Sequence, residues 1–345
     1  MSIKQTLKAF CLCGAPAGEE STLYDEARKK LSVYGSCNTD IRGNFICTKE
    51  GSGKHFLLDA HMDQIGFAVT SIEENGFLKV AQVGGVDRRV LPSLEVEVLG
   101  KERLYGVIAC KPPHLAEDKE KDKAPKPEDI AIDTGLCTEA LKQKVSLGDR
   151  VVLKPYFAPL LGERVCGTAL DDRAGMTILV RVMELLKKQG SKAKITAVFS
   201  VGEEVGGKGA DNAAFAAEAD EAIVIDVSFG AQPEIGGAHK YACMPLGGGA
   251  FIGAAPLLDK RMTQSLIACA EENGIPYQIE VMGGKTGTNA DGIATAKYGV
   301  KTATVSPPVR NMHTGVEVAD IGDLEHCAKL IAAYILREEE KECVI

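Results

Sequence analysis

The segment from Ala197 to Ala210, AVFSVGEEVGGKGA, constrains the fold more than any other part of the chain. It continues an apolar run, ITAVFSV, which predicts a buried β-strand that stops at Gly202. Glu203 and Glu204 follow, where the strand gives way to a glycine-rich turn. Neighbouring side chains of extended backbone point in opposite directions, so one carboxylate would face a metal ion and the other a substrate. A solvated pair of acids at a turn is the simpler alternative.

Strand-like and helix-like patterns alternate along much of the chain, which predicts an α/β fold. With 345 residues, 45% of them hydrophobic, the chain can bury a large core in two domains. The run HFLLDA, residues 55–60, predicts a central strand. His61 and Asp63 then lie at its carboxyl end, where open α/β sheets build their sites. Asp259 and Gly274 have the positions of an N-cap and a stop signal for a later helix.

Between residues 65 and 164 the pattern changes to short alternating segments such as FAVTSI, FLKVAQV and LEVEVLG, separated by turn residues. This pattern is typical of a small β-barrel or sandwich and differs from the alternation of strands and helices around it. We therefore expect a discontinuous main domain, residues 1–64 and 165–345, and a separate β-rich domain, residues 65–164.

The net charge indicates which classes of partner are disfavoured, and the cysteines indicate the cellular compartment. The formal net charge of −8 argues against nucleic acids and anionic membrane surfaces as main partners. No apolar run approaches the roughly 18 residues of a membrane span, and the N-terminal residues lack the long apolar segment of a signal peptide. The eleven cysteines include no C-x-x-C pair and fit reduced thiols, so we expect a cytoplasmic protein.

Histidine and carboxylate side chains occur at five places where a predicted strand meets a loop. These places are His61 with Asp63, Asp171 with Asp172, Glu203 with Glu204, Asp226, and His313. Histidines and carboxylates without cysteine suit zinc, cobalt or manganese. Two imidazoles and three carboxylates can serve two ions if one carboxylate bridges them, and paired ions about 3.5–4 Å apart are typical of hydrolases.

Each of these residues also has a structural alternative. His61 can be a packed core histidine, Asp171 or Asp172 a helix N-cap, and His313 a solvated loop residue. Together, however, these alternatives require five coincidences at strand ends of one sheet, and a shared metal site explains them all.

The pattern also predicts roles for the carboxylates that do not bind metal. A metal ion lowers the pKa of a bound water towards about 7, and one member of the Glu203–Glu204 pair would accept its proton. Asp63, two residues from His61, would accept the imidazole N–H and fix its tautomer.

The sequence resembles, nearly from end to end, the M42 family of metallo-aminopeptidases, relatives of glutamyl aminopeptidase and of the TET peptidases. The shared segments are LLDAHMDQIGF, KPPHL, IDTG, ALDDRAG, GEEVGGKGA, VIDV, TGTNADGI, and PVRNMHT before GVEV. The resemblance implies a mixed-sheet α/β/α metallopeptidase domain with an inserted, small, β-barrel-like dimerisation domain at about residues 65–164. It also implies that dimers assemble into hollow dodecamers.

The resemblance assigns a role to each site residue. One ion would be held by His61, Asp171 and Asp226, and the other by Asp171, Glu204 and His313. Asp171 would bridge the two ions, Glu203 would be the general base, Asp63 would orient His61, and Asp172 would be a partner of Asp171 that binds no ion. The resemblance implies two divalent ions, zinc foremost with cobalt or manganese as alternatives, and short peptides as substrates.

Four residues near these motifs depart from the family pattern, and none of them is an implied ligand or base. They are Gln64, Gly202, Asn289 and Asn311. Because they lie near the implied site, they bear on substrate preference. Basic residues in predicted cleft loops would favour acidic substrates if they lined the cleft, although ordinary surface charge is the simpler interpretation for most. These are Lys240, Lys260, Arg261, Lys285 and Arg310.

The leading hypothesis is a cytoplasmic, homo-oligomeric, dinuclear metal-dependent aminopeptidase that acts on short peptides. One alternative is a metal hydrolase of another substrate class: a dipeptidase, a carboxypeptidase, an N-acyl-amino-acid deacylase or an endoglucanase-like enzyme. Another is a non-catalytic scaffold on a peptidase fold. A glycosidase is disfavoured because Glu203 and Glu204 belong to one strand end, whereas glycosidase carboxylates flank the scissile bond about 5–9.5 Å apart.

Overall fold

The structure is a computed structural model and describes residues 2–115, 123–230 and 244–342. Helices in these ranges are α1 (Ile3–Cys11), α2 (Tyr24–Leu31), α3 (Thr138–Lys144), α4 (Leu170–Lys188), α5 (Lys208–Ala217), α6 (Lys260–Glu272), α7 (Ala290–Ile293) and α8 (Ile321–Glu342). The first strands are β1 (Ser36–Thr39), β2 (Phe45–Lys49), β3 (His55–His61), β4 (Gly66–Ile72), β5 (Phe77–Val83), β6 (Glu95–Leu99), β7 (Arg103–Ile108), β8 (Ala131–Asp133) and β9 (Arg150–Leu153). The later strands are β10 (Phe157–Pro159), β11 (Arg164–Gly167), β12 (Lys194–Ser200), β13 (Glu221–Val224), β14 (Ser228–Phe229), β15 (Ala250–Ala254), β16 (Tyr277–Val281), β17 (Lys301–Ser306), β18 (Pro308–Arg310) and β19 (Glu317–Asp320).

The main sheet has eight strands in the order β1-β2-β12-β3-β13-β17-β15-β16. Its centre, β12, β3, β13 and β17, is parallel, whereas β2 and β15 pair with it in the antiparallel sense. The sheet is therefore mixed, and the α/β prediction is confirmed. Because the carboxyl ends of parallel strands meet at one edge, the residues that follow β3, β12 and β13 come together there.

Alternate residues of the central strands pack into two separate hydrophobic cores, one on each face of the main sheet. On β3, Phe56 and Leu58 belong to the larger core, which includes residues of α1, α4, α6 and α8. Leu57 points to the opposite face and packs in a smaller core with Ala213 of α5 and Ile293 of α7. Successive side chains of a strand point to opposite faces, so a strand covered by helices on both sides reads as a continuous apolar run. This is why HFLLDA carries no alternation.

Strands β4, β5, β8, β7, β6 and β9 form a closed barrel whose interior is apolar. The chain enters the barrel directly after β3 and leaves it towards β10. A second sheet, β10-β11-β19-β18-β14, contains the two strands that flank residues 311–316. Within the residues that are described, no helix combines the length and apolar character needed to cross a bilayer.

Helix α6 begins and ends where the sequence predicted. The Asp259 carboxylate accepts hydrogen bonds from the N–H groups of Arg261 and Met262, which is the geometry of a helix N-cap. The helix ends at Glu272, and Gly274 follows with a positive φ of 60°. Both ends were therefore readable from single residues.

Ile223 tests how strongly the central strands carry the stability of the fold. It is fully buried in β13 between Leu58 of β3 and Ala303 of β17. We expect Ile223→Ala to lower the free energy of unfolding by about 2–5 kcal/mol, because it leaves a cavity that the packed sheet cannot close. The matched control is Ile41→Ala at a fully exposed turn position, which we expect to change stability by less than about 0.5 kcal/mol. Urea unfolding of both variants measures the difference, and equal stabilities would contradict this account of the core.

Candidate metal centre

Five side chains converge at the carboxyl edge of the parallel strands and form two groups that share one member. His61, Asp171 and Asp226 place one potential ligand atom each within 4.8 Å of one another, and so do Asp171, Glu204 and His313. His61 ends β3, Glu204 follows β12, and Asp226 follows β13. The structure therefore brings together all five residues that the sequence proposed as ligands, in the grouping that the family resemblance implied.

The Asp171 carboxylate lies between the two histidines. Its Oδ1 is 3.0 Å from Nε2 of His61, and its Oδ2 is 3.2 Å from Nε2 of His313. Burial opposes ionisation, but the hydrogen bonds of His313 and His61 outweigh it and hold the pKa of Asp171 below its usual value. Each oxygen thus faces a different group, as a bridging ligand requires.

Backbone carbonyls orient both imidazole rings. Nδ1 of His61 is 2.9 Å from the carbonyl oxygen of Asp63, and Nδ1 of His313 is 3.0 Å from that of Gly85. A carbonyl oxygen only accepts, so both Nδ1 atoms are donors and each Nε2 is left to coordinate. For His61 the closest partner on Asp63 is the backbone, because its carboxylate Oδ1 is 3.5 Å from Nδ1.

The Asp63 carboxylate clamps the Glu203–Glu204 segment. Its Oδ1 and Oδ2 accept the N–H groups of Glu203 and Glu204 at 3.0 Å each. Strand β12 ends at Ser200, Gly202 has a positive φ of 72°, and Glu203–Val205 form a 3-10 turn. The expectation of extended backbone at this pair is therefore wrong. Both carboxylates line the same cavity, because a left-handed glycine and the clamp turn the chain out of the strand.

Asp172 makes a hydrogen bond to the start of a helix, which is the structural alternative that the sequence offered for this residue. Its Oδ1 accepts the N–H of Gly175 at 2.9 Å, inside the first turn of α4. The peptide bond between Asp171 and Asp172 is cis. A Cβ at position 175 would collide with the Asp172 carboxylate, so glycine is required at this close approach.

The sequence pattern does not single out Glu317, although this residue lies in the GVEV segment shared with the family. Its Oε2 accepts the N–H of Asp171 at 3.0 Å and its Oε1 accepts the N–H of His313 at 2.9 Å. Burial raises the pKa of Glu317 to about 8. One buried carboxylate thus fixes the backbone of two candidate ligands that are far apart in sequence.

Two further supports come from Arg173 and from the loop Gly84–Gly85 of the barrel. Arg173 is fully buried and donates to the carbonyls of Met62 and Cys13, so it holds the turn that follows His61. A Cβ at Gly85 would lie 2.9 Å from Nδ1 of His313, and one at Gly84 would lie 3.2 Å from Oε2 of Glu204. The signals available in the sequence were the Arg in ALDDRAG and a Gly-Gly pair, and neither by itself indicates a metal site.

The site opens into a cavity of about 690 Å³. Asp171, Glu203, Glu204, Asp226 and His313 all line it, together with residues of β14, β16 and the loop after β16. Of the basic residues considered for the cleft, Lys285 lines this cavity and Lys240 lies outside the described residues. Lys260, Arg261 and Arg310 are not among the lining residues.

The four departures from the family pattern have local structural contacts. Gln64 accepts hydrogen bonds from Ala15 and Arg173, and Asn289 donates to Asp59 and Ser200. Gly202 supplies the left-handed turn before Glu203, and Asn311 donates to the carbonyl of Val316 at 3.3 Å. None of the four lines the cavity.

The electrostatics of the site favour cations. Burial raises the pKa of Glu204 to about 8 and that of Asp226 well above its usual value, and it also raises the pKa of Glu203. Hydrogen bonding to Asp171 raises the pKa of His313 to about 9. The raised pKa values of Glu204 and Asp226 mean that burial disfavours their charged forms, and divalent ions would supply the compensating positive charge. The donor set, with two Nε2 atoms and carboxylate oxygens, fits such ions.

Comparison with known proteins gives four consistent similarities, two from sequence and two from structure. A sequence model of the M42 glutamyl aminopeptidase family matches residues 43–330. Lysyl aminopeptidase of Pyrococcus furiosus is 33% identical over 309 residues, which are 88% of this chain and 87% of that protein.

Two solved structures extend the similarity to the fold. An aminopeptidase from the archaeon Desulfurococcus kamchatkensis superposes with a TM-score of 0.88 at 32% identity, over 96% of this chain and 94% of that chain. The TET1 peptidase of Pyrococcus horikoshii, which can assemble into a tetrahedron or a large octahedral shell, superposes with a TM-score of 0.85 at 31% identity, over 96% and 98% of the two chains.

Glu317→Gln tests whether the buried carboxylate supports the centre. An amide has one acceptor oxygen, so it cannot accept the N–H groups of both Asp171 and His313 as the carboxylate does. We expect zinc affinity to fall by about 10- to 100-fold, the usual effect of removing an outer partner of metal ligands. Competition with a chromogenic chelator measures it, and Glu163→Gln on the surface is the control. Unchanged affinity in the Glu317 variant would show that its hydrogen bonds do not position the ligands.

Proposed function

Because this chain belongs to the M42 family of peptide hydrolases, we propose that it is a dinuclear metal-dependent aminopeptidase that removes N-terminal residues from short peptides. The observation that carries the proposal is the pair of three-residue groups that share Asp171. We further propose zinc as the native metal, with cobalt and manganese suited to the same donors. When bound, the ions would polarise the scissile carbonyl and lower the pKa of a water molecule.

In this proposal Glu203 is the general base. It follows strand β12 and lines the cavity, and its N–H donates a hydrogen bond to the Asp63 carboxylate, which fixes its backbone. Burial raises the pKa of Glu203, which brings it closer to neutral pH, where a general base and acid works best. Glu203 takes the proton of the attacking water and later delivers it to the amine that leaves. Glu204, the adjacent residue, is a ligand of the second group.

The remaining alternatives differ in the bond they cleave. A carboxypeptidase, a dipeptidase and an N-acyl-amino-acid deacylase would use the same kind of metal ligands to cleave a different amide bond. An endoglucanase would cleave a glycosidic bond. An unblocked tetrapeptide and its N-acetylated form, each incubated with the zinc-loaded protein, separate an aminopeptidase from a carboxypeptidase and a deacylase; an unblocked dipeptide as sole substrate tests for a dipeptidase, and soluble cellulose with a chelator tests for an endoglucanase. We expect stepwise release of the N-terminal residue from the unblocked peptide and none from the acetylated one. Release of acetate, release from the C-terminus, or hydrolysis of soluble cellulose in chelator would each favour the corresponding alternative.

The general-base assignment predicts the behaviour of Glu203→Gln. The glutamine keeps the size of the side chain and its backbone hydrogen bond to Asp63, but it cannot take a proton at neutral pH. We therefore expect both metal ions to bind and turnover to fall by at least ~100-fold, a usual contribution of general-base catalysis. Metal analysis and aminoacyl-anilide assays on the same preparation measure the two effects. Turnover close to that of the unsubstituted enzyme would refute the assignment.

We also propose a cytoplasmic homo-oligomer in which residues 65–164 form a dimerisation domain and dimers assemble into dodecamers. The shell formed by the Pyrococcus horikoshii TET1 peptidase supports the proposed assembly. The free cysteines among the described residues support the proposed cytoplasmic location. Light scattering would then give a mass about twelve times that of one chain, and a protein without the barrel domain would stay smaller. A monomer at micromolar concentration would contradict the assembly but not the peptidase activity.

A further inference from the structure

Two cysteines of the main sheet stand directly opposite each other on neighbouring strands. Cys37 of β1 is the register partner of Cys47 of β2, and the two strands are antiparallel. Residues that face each other across an antiparallel pair project their side chains to the same face of the sheet. The two thiols therefore lie side by side, although residues 38–46 separate them in the chain.

The hydrogen bonds of the hairpin determine how closely the two backbones approach at this pair. The N–H of Asp40 donates to the carbonyl of Asn44 at 3.1 Å, so these two residues form a hydrogen-bonded pair. Hydrogen-bonded and non-hydrogen-bonded pairs alternate along an antiparallel ladder. In the same register Cys37 and Cys47 therefore form a non-hydrogen-bonded pair. The Cα atoms of such pairs are about 4.5 Å apart, within the range of roughly 4.4–6.8 Å that a disulfide bond allows.

The two thiols differ in their access to solvent. Cys37 is half-buried, whereas Cys47 is fully buried in the larger core, where its Sγ lies 3.4 Å from the carbonyl oxygen of Leu31. Burial raises the pKa of the Cys47 thiol, and its contact with the Cys37 thiol raises this pKa further. A reagent in solution can therefore reach Cys37 but not Cys47. Cys47 is placed to attack a sulfur that is already bonded at Cys37.

The cysteine pair lies in the hairpin at the edge of the main sheet. Strand β1 is at one end of the strand order, where it pairs with β2. An edge strand opens more readily than the central strands of a sheet, because its backbone is more exposed to water. A bond between Cys37 and Cys47 would hold β1 to β2 and close a loop of residues 38–46.

This loop contains a residue that supports the turn at the candidate metal centre. Asn44 is fully buried, its Oδ1 accepts the N–H of Val201 at 3.0 Å, and its Nδ2 donates to the carbonyl of Gly209 at 3.0 Å. Val201 and Gly209 lie on either side of Glu203 and Glu204 in the sequence. A closed hairpin would therefore also restrict the segment that carries these two carboxylates.

We propose that Cys37 and Cys47 form a reversible disulfide bond that holds the hairpin closed, with a low-molecular-weight disulfide such as oxidised glutathione as the oxidant. The Cys37 thiolate attacks one sulfur of the oxidant, which forms a mixed disulfide and releases one small thiolate. The Cys47 thiolate then attacks the Cys37 sulfur, which forms the protein disulfide and releases the second small thiolate. The protein thiols lose two electrons and two protons, and the oxidant gains both and leaves as two thiols. The reaction needs neither a metal ion nor a peptide, so it is independent of the proposed aminopeptidase function.

Peptide mapping of the full-length protein tests the bond directly. Trypsin cleaves after Lys30, Arg42 and Lys49, so the two cysteines fall on separate peptides, residues 31–42 and 43–49, and neither peptide has a second cysteine. We expect oxidised glutathione to link these two peptides in the folded protein, and reduction to separate them. In guanidinium the fold no longer holds the sulfurs together. At a fixed concentration of reduced glutathione, the same yield should then need at least about 10-fold more oxidised glutathione.

Single substitutions test the order of the two steps. In Cys47→Ala the second thiol is absent, so we expect Cys37 to retain glutathione as a stable mixed disulfide. In Cys37→Ser we expect Cys47 to stay free, because its sulfur is buried. Cys137→Ser, at an exposed position before α3, is the matched control and should leave the link between residues 31–42 and 43–49 unchanged.

Hydrogen exchange measures whether the bond holds the hairpin. We expect the interstrand amides of residues 38–46 to exchange at least about 10-fold more slowly in the oxidised protein, because the closed loop opposes local opening. Amides of the barrel strands β4 and β5 should exchange equally in the oxidised and reduced forms.

Three results would overturn the proposal. The first is a folded, unsubstituted protein in which Cys37 carries glutathione while Cys47 stays free, which would mean that the two sulfurs cannot meet. The second is a bond from Cys37 to any other cysteine, in the same chain or in a second copy. The third is equal exchange of residues 38–46 in the oxidised and reduced forms, which would mean that the bond does not hold the hairpin.

Discussion

The accumulation of carboxylates at one buried edge of the sheet is the constraint on which the rest of the structure depends. Buried carboxylates are costly unless each is hydrogen-bonded or paired with a positive charge. Backbone N–H groups satisfy both carboxylate oxygens of Asp63 and of Glu317, whereas Asp172 accepts one N–H, that of Gly175, with Oδ1 alone. The carboxylates that line the cavity, including Asp171 and Glu204, lie close to the imidazole of His313 and to each other. The proposed pair of ions would supply the positive charge that these carboxylates lack.

The parallel sheet explains why the candidate ligands are far apart in the sequence and close together in the structure. A parallel sheet brings the ends of its strands to one edge regardless of the length of chain between them. Each strand end then needs a local device to aim its side chain. For the Glu203–Glu204 turn the device is the Asp63 clamp, and for His313 and Asp171 it is the shared contact with Glu317. The sheet sets the location, and buried hydrogen bonds set the orientation.

Much of the fold was predictable because it depends on residue type and period. Apolar runs indicated the buried strands, short alternating segments indicated the barrel, and Asp259 marked a helix start. The candidate ligands were recognisable because histidines and carboxylates stand directly after predicted strands, and their role as ligands stays a prediction. The turn at Glu203 was misjudged as extended, because a single φ at Gly202 decides it and glycine allows either conformation. The role of Glu317 was not predictable, because its partners are backbone amides that leave no mark in the sequence.

The contact between Gly85 of the barrel and His313 has a consequence for the whole molecule. The carbonyl of Gly85 holds Nδ1 of His313, and the N–H of Asp87 bonds the carbonyl of the same histidine. If His313 holds a metal ion, as proposed, binding of the ion would stabilise this position of the barrel loop, and the loop in this position would stabilise binding of the ion by an equal free energy, since such linkage is reciprocal. Any partner that grips the barrel and shifts this loop would change the affinity of the centre without touching it.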